Sequence, residues 1–314
     1  MPASPPAAGE PPQESTPAPP PSPAPARGAA VVAEVIDVRA PGPAEPGALA
    51  AAPGGDGFLA GARDGTVLHV SAAGETRHVG VVWEVSLGPA NALLGLAAQP
   101  GWLYASYVTA ASGLTLARHS WDASGLGHYP HTFLTGVPAA GARRGGALAF
   151  GPDGLLYAGT GDAGQPALAR DPASPAGKVL RMTSLGRVPD GNPDPGSFRY
   201  ADGHGDVRGL AWDAAGRPWV ADAGTVAAPG GAASPLWSGG EQTGPGLACA
   251  AGALWLPGAG SGLWRLPLDG RGGLVAPPQL HLAGQLAGAV GLVAVAGELW
   301  VLAGGWRLTR LRVR

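Results

Sequence analysis

The sequence predicts an all-β fold, a six-bladed β-propeller of four-stranded antiparallel blades with an N-terminal strand closing the last blade. Three observations carry this. A two-strand phrase recurs six times. Turn formers are abundant, with 54 Gly and 34 Pro among 314 residues. No segment sustains the 3.6-residue period of a capped amphipathic helix.

The phrase is a small apolar strand, a Gly-containing turn, and a second strand with Leu or an aromatic at its centre. Its copies are GALAAAPGGDGFLAG, LLGLAAQPGWLYAS, GGALAFGPDGLLYAG, VRGLAWDAAGRPWVAD, GPGLACAAGALWLPG and AVGLVAVAGELWVLAG. The second strands pass through Leu59, Leu103, Leu156, Trp219, Trp255 and Trp300, at steps of 44, 53, 63, 36 and 45 residues. Repeats of roughly 40 to 50 residues holding several short strands are the mark of propeller blades. One blade cannot bury both faces, so blades stack in a ring. Gly and Ala let inner strands crowd the axis, and Trp, Leu and Tyr fill the space between blades.

Outer strands follow as TVLHVSAAG, LTLARHSWD, KVLRM, LWRLPLDG and RLTRLRV, and Asp-Gly pairs at 64–65, 153–154, 190–191 and 269–270 mark tight turns. The ring is expected to close by pairing residues 31–38 with residues 306–313. A solenoid or sandwich is the alternative fold; a solenoid needs capping repeats, which the sequence does not show.

Residues 1–30 form a Pro/Ala-rich stretch expected to be a disordered tail or linker, ahead of a propeller over 31–314. This stretch carries neither the basic nor the apolar region of a signal peptide. No apolar run reaches the ~18 residues of a membrane span. Charged residues are 13% and the net charge is −2, so no basic field exists for nucleic acid. The single cysteine, Cys249, has no disulfide partner and is expected to be a small buried apolar residue. Lysine occurs once, at Lys178.

Candidate chemistry is sparse. His128 and His131 stand at HxxH spacing on an expected loop, and two ligands make no metal site. His69, His78, His119 and His281 fall in or beside outer strands and are expected at the surface. GTGDAG at 159–164 looks like a dinucleotide fingerprint, but no helix is expected to open after it.

Two segments are denser in specific residues: ARRGGALAFGPDGLLYAGTGDAG at 142–164, followed by AGKVLRM, and YADGHGDVRGLAWDAAGRPWVAD at 200–222. They resemble the soluble pyrroloquinoline quinone (PQQ)-dependent sugar dehydrogenases, the glucose/sorbosone dehydrogenase family, over residues 58–222. The resemblance implies a six-bladed propeller with a central quinone pocket, PQQ and calcium as cofactors, sugar oxidation as the chemistry, and a periplasmic or secreted location, which the N-terminal stretch leaves open.

The site departs from that pattern. The family's catalytic His corresponds to Arg143, or to Arg144 one residue along; a guanidinium cannot accept a proton. The acidic residue that orients the His corresponds to Asp162. Where the family places quinone-contacting Arg-Asn after Gly-His, this chain has Gly205 and Asp206 after His204. An upstream Gln or Glu falls near Ala90. The expected calcium loop after Asp222 carries no carboxylate before Glu241, so PQQ and calcium are expected not to be retained. No metal ligand is assigned.

Three readings follow. One is a repurposed, non-catalytic propeller binding a sugar or anionic small molecule through Arg143, Arg144, His204, Gly205, Asp206 and Arg208. A second is an active quinoprotein aldose dehydrogenase with a displaced base such as His204. A third is a protein-interaction scaffold. Whether the chain is an enzyme rests on Arg143. Oligomeric state and ligand identity are left open.

Overall fold

A computed structural model describes residues 21–314 except 89, 232–233, 241–242 and 259–261. Most of the expected tail, residues 1–20, lies outside the described residues. Six antiparallel sheets form a ring. Blade 1 comprises Pro46–Ala51, Phe58–Ala62, Thr66–Val70 and Thr76–Val81. Blade 2 comprises Ala92–Gln99, Trp102–Thr109, Gly113–Asp122 and His131–Val137, with Gly125–Leu126 pairing beside its third strand. Blade 3 comprises Gly145–Phe150, Leu156–Thr160, Val179–Met182 and Arg199–Ala201. Blade 4 comprises Val207–Trp212, Pro218–Asp222, Thr225–Ala227 and Trp237–Ser238. Blade 5 comprises Ala248–Ala250, Ala253–Gly258, Gly262–Pro267 and Gln279–His281. Blade 6 comprises Gly291–Val295, Glu298–Ala303 and Arg307–Val313, and Ala30–Asp37 is its outer strand.

That outer strand closes the ring, with Ala30 opposite Val313 and Asp37 opposite Arg307. A polar clamp supports it: Arg310 binds Glu298 at 2.7 Å and reaches Glu34 at 3.3 Å. The recurring phrase is the inner pair of strands in every blade. Its small residues are required by contact. A side chain at Gly95 would collide with the Gly146 carbonyl of the next blade, which Ser106 Oγ already holds at 2.6 Å.

Six apolar clusters lie between neighbouring blades. Trp219, Trp255 and Trp300 are buried in three of them, as their place at the centre of the second strands requires. The four Asp-Gly pairs form turns with Gly65, Gly154, Gly191 and Gly270 at positive φ. At three of them the Asp carboxylate also accepts backbone N–H groups within the turn, as Asp64 does from Thr66 at 2.9 Å.

Three expectations change. His119 is buried, not exposed: its strand turns the ring into the blade 2 interior, where burial lowers its pKa and Nδ1 meets the Gly127 carbonyl at 3.3 Å. Cys249 is half-buried and faces the axial channel; burial and then Asp213 push its thiol up to about 11. A five-residue helix, Pro166–Arg170, does follow GTGDAG, and another short helix spans Trp83–Ser86. Both are too short to show a period. All described strand pairs are antiparallel, so the dinucleotide-fold resemblance of GTGDAG still fails.

Residues 24–29 lean on blades 5 and 6. Ala24 N–H donates to Leu268 at 2.8 Å, the Arg265 guanidinium donates to Pro25 at 2.7 Å, and Ala29 N–H donates to Arg314 at 2.9 Å.

Candidate axial binding site

In blades 1 to 3 the link from second to third strand, and the link to the next blade, emerge on the same face of the ring. That geometry gathers Arg143, Arg144, Asp162, His204, Gly205 and Asp206, from three separate stretches of the sequence, around one mouth.

The framework begins with Asp222, at the end of the second strand of blade 4. Its buried carboxylate accepts from His204 Nδ1 at 3.1 Å, from Gly205 N–H at 3.0 Å and from Asp206 N–H at 2.5 Å. Burial pushes this carboxyl upward, but the His204 and Asp206 hydrogen bonds outweigh it and hold the pKa below the ordinary value. The loop from blade 3 to blade 4 is thereby pinned. Asp162 N–H donates to the Gly205 carbonyl at 2.8 Å, tying the long loop of blade 3 to it.

Arg143 then meets Asp162, Nη1 to Oδ2, at 3.3 Å. The Asp is 2% exposed and the Arg side chain 42%, so the pair is anchored inside and faces outward. Its guanidinium lies over Gly205; a Cβ there would stand 3.0 Å from Arg143 Nη1. Asp162 is thus paired with a permanent cation.

Asp206 binds Arg208 Nε at 2.6 Å and accepts Gly145 N–H at 2.8 Å. Burial pushes its carboxyl above the ordinary value, against the pull of Arg208. Arg208 also donates to the Ala142 carbonyl at 2.9 Å. It stands between two cavities. One, of 230 Å³, is lined by Arg143, Asp206, Arg208 and Thr243. The other, of 440 Å³, is the mouth of the axial channel and is lined by Arg63, Arg144 and Arg208 with Gly, Ala, Leu, Val and Pro. No carboxylate lines that second cavity among the described residues. Below it the channel continues as an apolar cavity of 470 Å³ lined by all six inner strands.

His204 is drawn into the site differently from expectation. Its ring is 1% exposed and lines neither cavity at the mouth. It supports the loop through Asp222 and offers no nitrogen to a ligand in the channel. Ala90 lines a neighbouring cavity that Arg63 and Arg144 also border.

Three residues escaped the sequence reading. Arg63, from blade 1, carries no motif. Asp222 could have been found: it ends WVAD on the second strand of blade 4, where Asp162 follows YAGTG in blade 3. Lys178 is fully buried, and its ammonium donates to the Leu168, Ala169 and Ala176 carbonyls at 2.8 to 2.9 Å. It fastens the long blade 3 loop that carries Asp162, and desolvation lowers its pKa.

The residues at the mouth suit a ligand that carries carboxylates or another anionic group. Three guanidiniums would answer carboxylates. The described residues contain no group of three or more His, Cys, Asp or Glu side chains placed to hold a metal ion. Glu241, the next carboxylate after Asp222, lies outside the described residues. Arg143, a guanidinium, offers no proton acceptor at the mouth.

The fold and mouth together define a six-bladed propeller with a polar axial site. A family model described as Glucose / Sorbosone dehydrogenase matches residues 44–228, more than half of the chain, and the chain belongs to that family. The PQQ-bound aldose sugar dehydrogenase of Streptomyces coelicolor is 33% identical, with a TM-score of 0.84 over 93% of this chain and 100% of that one. A Thermus thermophilus protein provisionally called a glucose dehydrogenase is 29% identical, with a TM-score of 0.74 over 88% and 99%. The apo aldose sugar dehydrogenase of Escherichia coli, 18% identical with a TM-score of 0.70 over 92% and 99%, shares the fold. No curated protein matches the chain in sequence. No described helix is long and apolar enough to cross a membrane.

Proposed function

We propose that this propeller is a repurposed member of its family that binds an anionic sugar derivative, such as an aldonate or a sugar phosphate, at the axial mouth without oxidising it. The observation that carries this reading is the Arg143–Asp162 pair in the place of a base and its orienting acid. A guanidinium stays protonated at any working pH and cannot take a hydroxyl proton. It can donate hydrogen bonds to an anion.

The mouth supports the same reading. Arg63, Arg144 and Arg208 surround a cavity of 440 Å³, large enough for a monosaccharide derivative. Asp206 neutralises part of Arg208, leaving Arg63 and Arg144 as the cations without an ion-pair partner among the described residues. Arg144 is steadied by its Nε, which donates to Gly141 at 2.8 Å, so its outer nitrogens remain for a ligand.

Calorimetric titration of the full chain with gluconate, glucose 6-phosphate and glucose tests this. The charged ligands bind, glucose binds far more weakly, and Arg144→Ala lowers anion affinity about tenfold or more, as the loss of a charge-assisted hydrogen bond would. Equal binding of charged and neutral sugars, or no effect of Arg144→Ala, would overturn the reading.

A further inference from the structure

A second cleft lies beside the mouth, between residues 84–88 with Asn91 on one side and blade 2 on the other. It has a volume of 680 Å³ and is walled by the Trp83–Ser86 helix and its following turn on one side, and by the second, third and fourth strands of blade 2 on the other. Arg144 and Arg208 do not line it.

Its chemistry differs from that of the axial mouth. A row of hydroxyls crosses blade 2. Thr109 and Ser112 share a hydrogen bond at 2.6 Å, Ser112 and Thr115 one at 3.3 Å, and Thr115 and Thr135 one at 3.3 Å. Each hydroxyl can donate one bond and accept two, so the row keeps unused capacity toward the cleft. Facing it is Glu84, whose Oε2 is buried and has no hydrogen-bond partner among the described residues. Tyr107 lines the same cleft, and burial, then that carboxylate, push its hydroxyl well above its ordinary value. Glu84 lines the cleft, and a carboxylate with acceptor capacity to spare suits a ligand that brings hydroxyl donors.

The frame is built. Asn91 donates to the Glu84 carbonyl at 3.0 Å and accepts from Ala110 N–H at 2.9 Å, stapling the loop to the blade 2 turn. Leu87, on the rim, is 65% exposed and offers an apolar face.

We propose that this cleft is a second small-molecule site, built for a neutral polyhydroxylated ligand of saccharide type. Ligand hydroxyls donate to Glu84 and exchange bonds with the Thr/Ser row, while Leu87 covers a C–H face of the sugar ring. The volume admits one to two sugar units.

The test is titration of the full chain with maltose, followed by saturation-transfer NMR and calorimetry, for the parent and for Glu84→Ala and Thr115→Val. Thr115→Val keeps the side-chain shape at a buried position, and each variant is checked for the parent melting temperature. Maltose binds, and both variants weaken it about tenfold or more. Three results would overturn the proposal: no maltose binding at tens of millimolar, binding that both variants leave intact, or heat evolved with calcium chloride alone and none with maltose. Because the probe is neutral and Arg144 lies outside the cleft, failure of the axial anion site would leave this result standing.

Discussion

Asp222→Ala removes one acceptor and leaves three donors, and the structure sets the cost. His204 Nδ1, Gly205 N–H and Asp206 N–H all end on this carboxylate, and the two side chains are 1% and 9% exposed, so water cannot replace it without rearrangement. A buried donor left without a partner costs about 1–3 kcal/mol. Three such groups give roughly 3–9 kcal/mol before relaxation. Relief from desolvating the carboxylate and rotation of His204 bring the expectation to about 3–5 kcal/mol, the range for breaking a buried charged pair. At about 2–4 °C per kcal/mol, melting should fall by about 6–20 °C. Chemical denaturation and thermal melts of the variant beside the parent measure this. The anion titration should weaken in parallel, because Asp206 and the Gly205 carbonyl that steadies Asp162 ride on the same loop. A loss under 1 kcal/mol would refute the reasoning that Asp222 is the hub of the mouth.

Other expectations follow from the same structure. Asp213 and Asp222 are pushed up by burial but held below their ordinary values by hydrogen bonds, from Arg217 and Trp219 in one case and from His204 and Asp206 in the other. A depressed folded pKa gives stability that is fully present above the unfolded value, near pH ~4, and lost as pH falls through the folded value. Denaturation midpoints should therefore show no change with pH from these two groups between pH 5 and 8, where their contribution is complete, and should fall below about pH 4; a decline already complete above pH 5 would contradict the assignment. Truncation before Arg307 removes Leu308 and Leu311, both fully buried, and strands Ala30–Asp37 without a partner. The truncated chain should lose its cooperative melt, and an unchanged melting temperature would refute closure by this pairing.

The fold was legible because each level of the sequence agreed. The six phrases became the inner strands, and Leu59 and Trp255 sit in the interblade clusters their spacing required. Arg143, Asp162, Asp206 and Arg208 could be singled out from sequence because they lie in continuous family-like runs, and the ring brings them together. What sequence could not give was contact across blades. Arg63 reaches the mouth only because the ring turns the links of blades 1 and 2 toward one axis, where Arg63 and Arg144 line the same cavity. His204 looked like a free base in a string of letters; only the Asp222 contact shows it enclosed. Glu84 and the hydroxyls of blade 2 form no linear pattern, since strand pairing alone brings Thr115 to Thr135.

The most direct test of the central claim, a family propeller whose mouth keeps anion contacts and has lost the oxidative base, is a paired measurement on the full chain. PQQ is titrated with and without calcium, and dye-linked oxidation of glucose is then followed on the same samples. The account predicts at most calcium-independent association through the arginine-lined mouth, with no turnover above the protein-free rate. Submicromolar, calcium-dependent binding accompanied by glucose oxidation would contradict it.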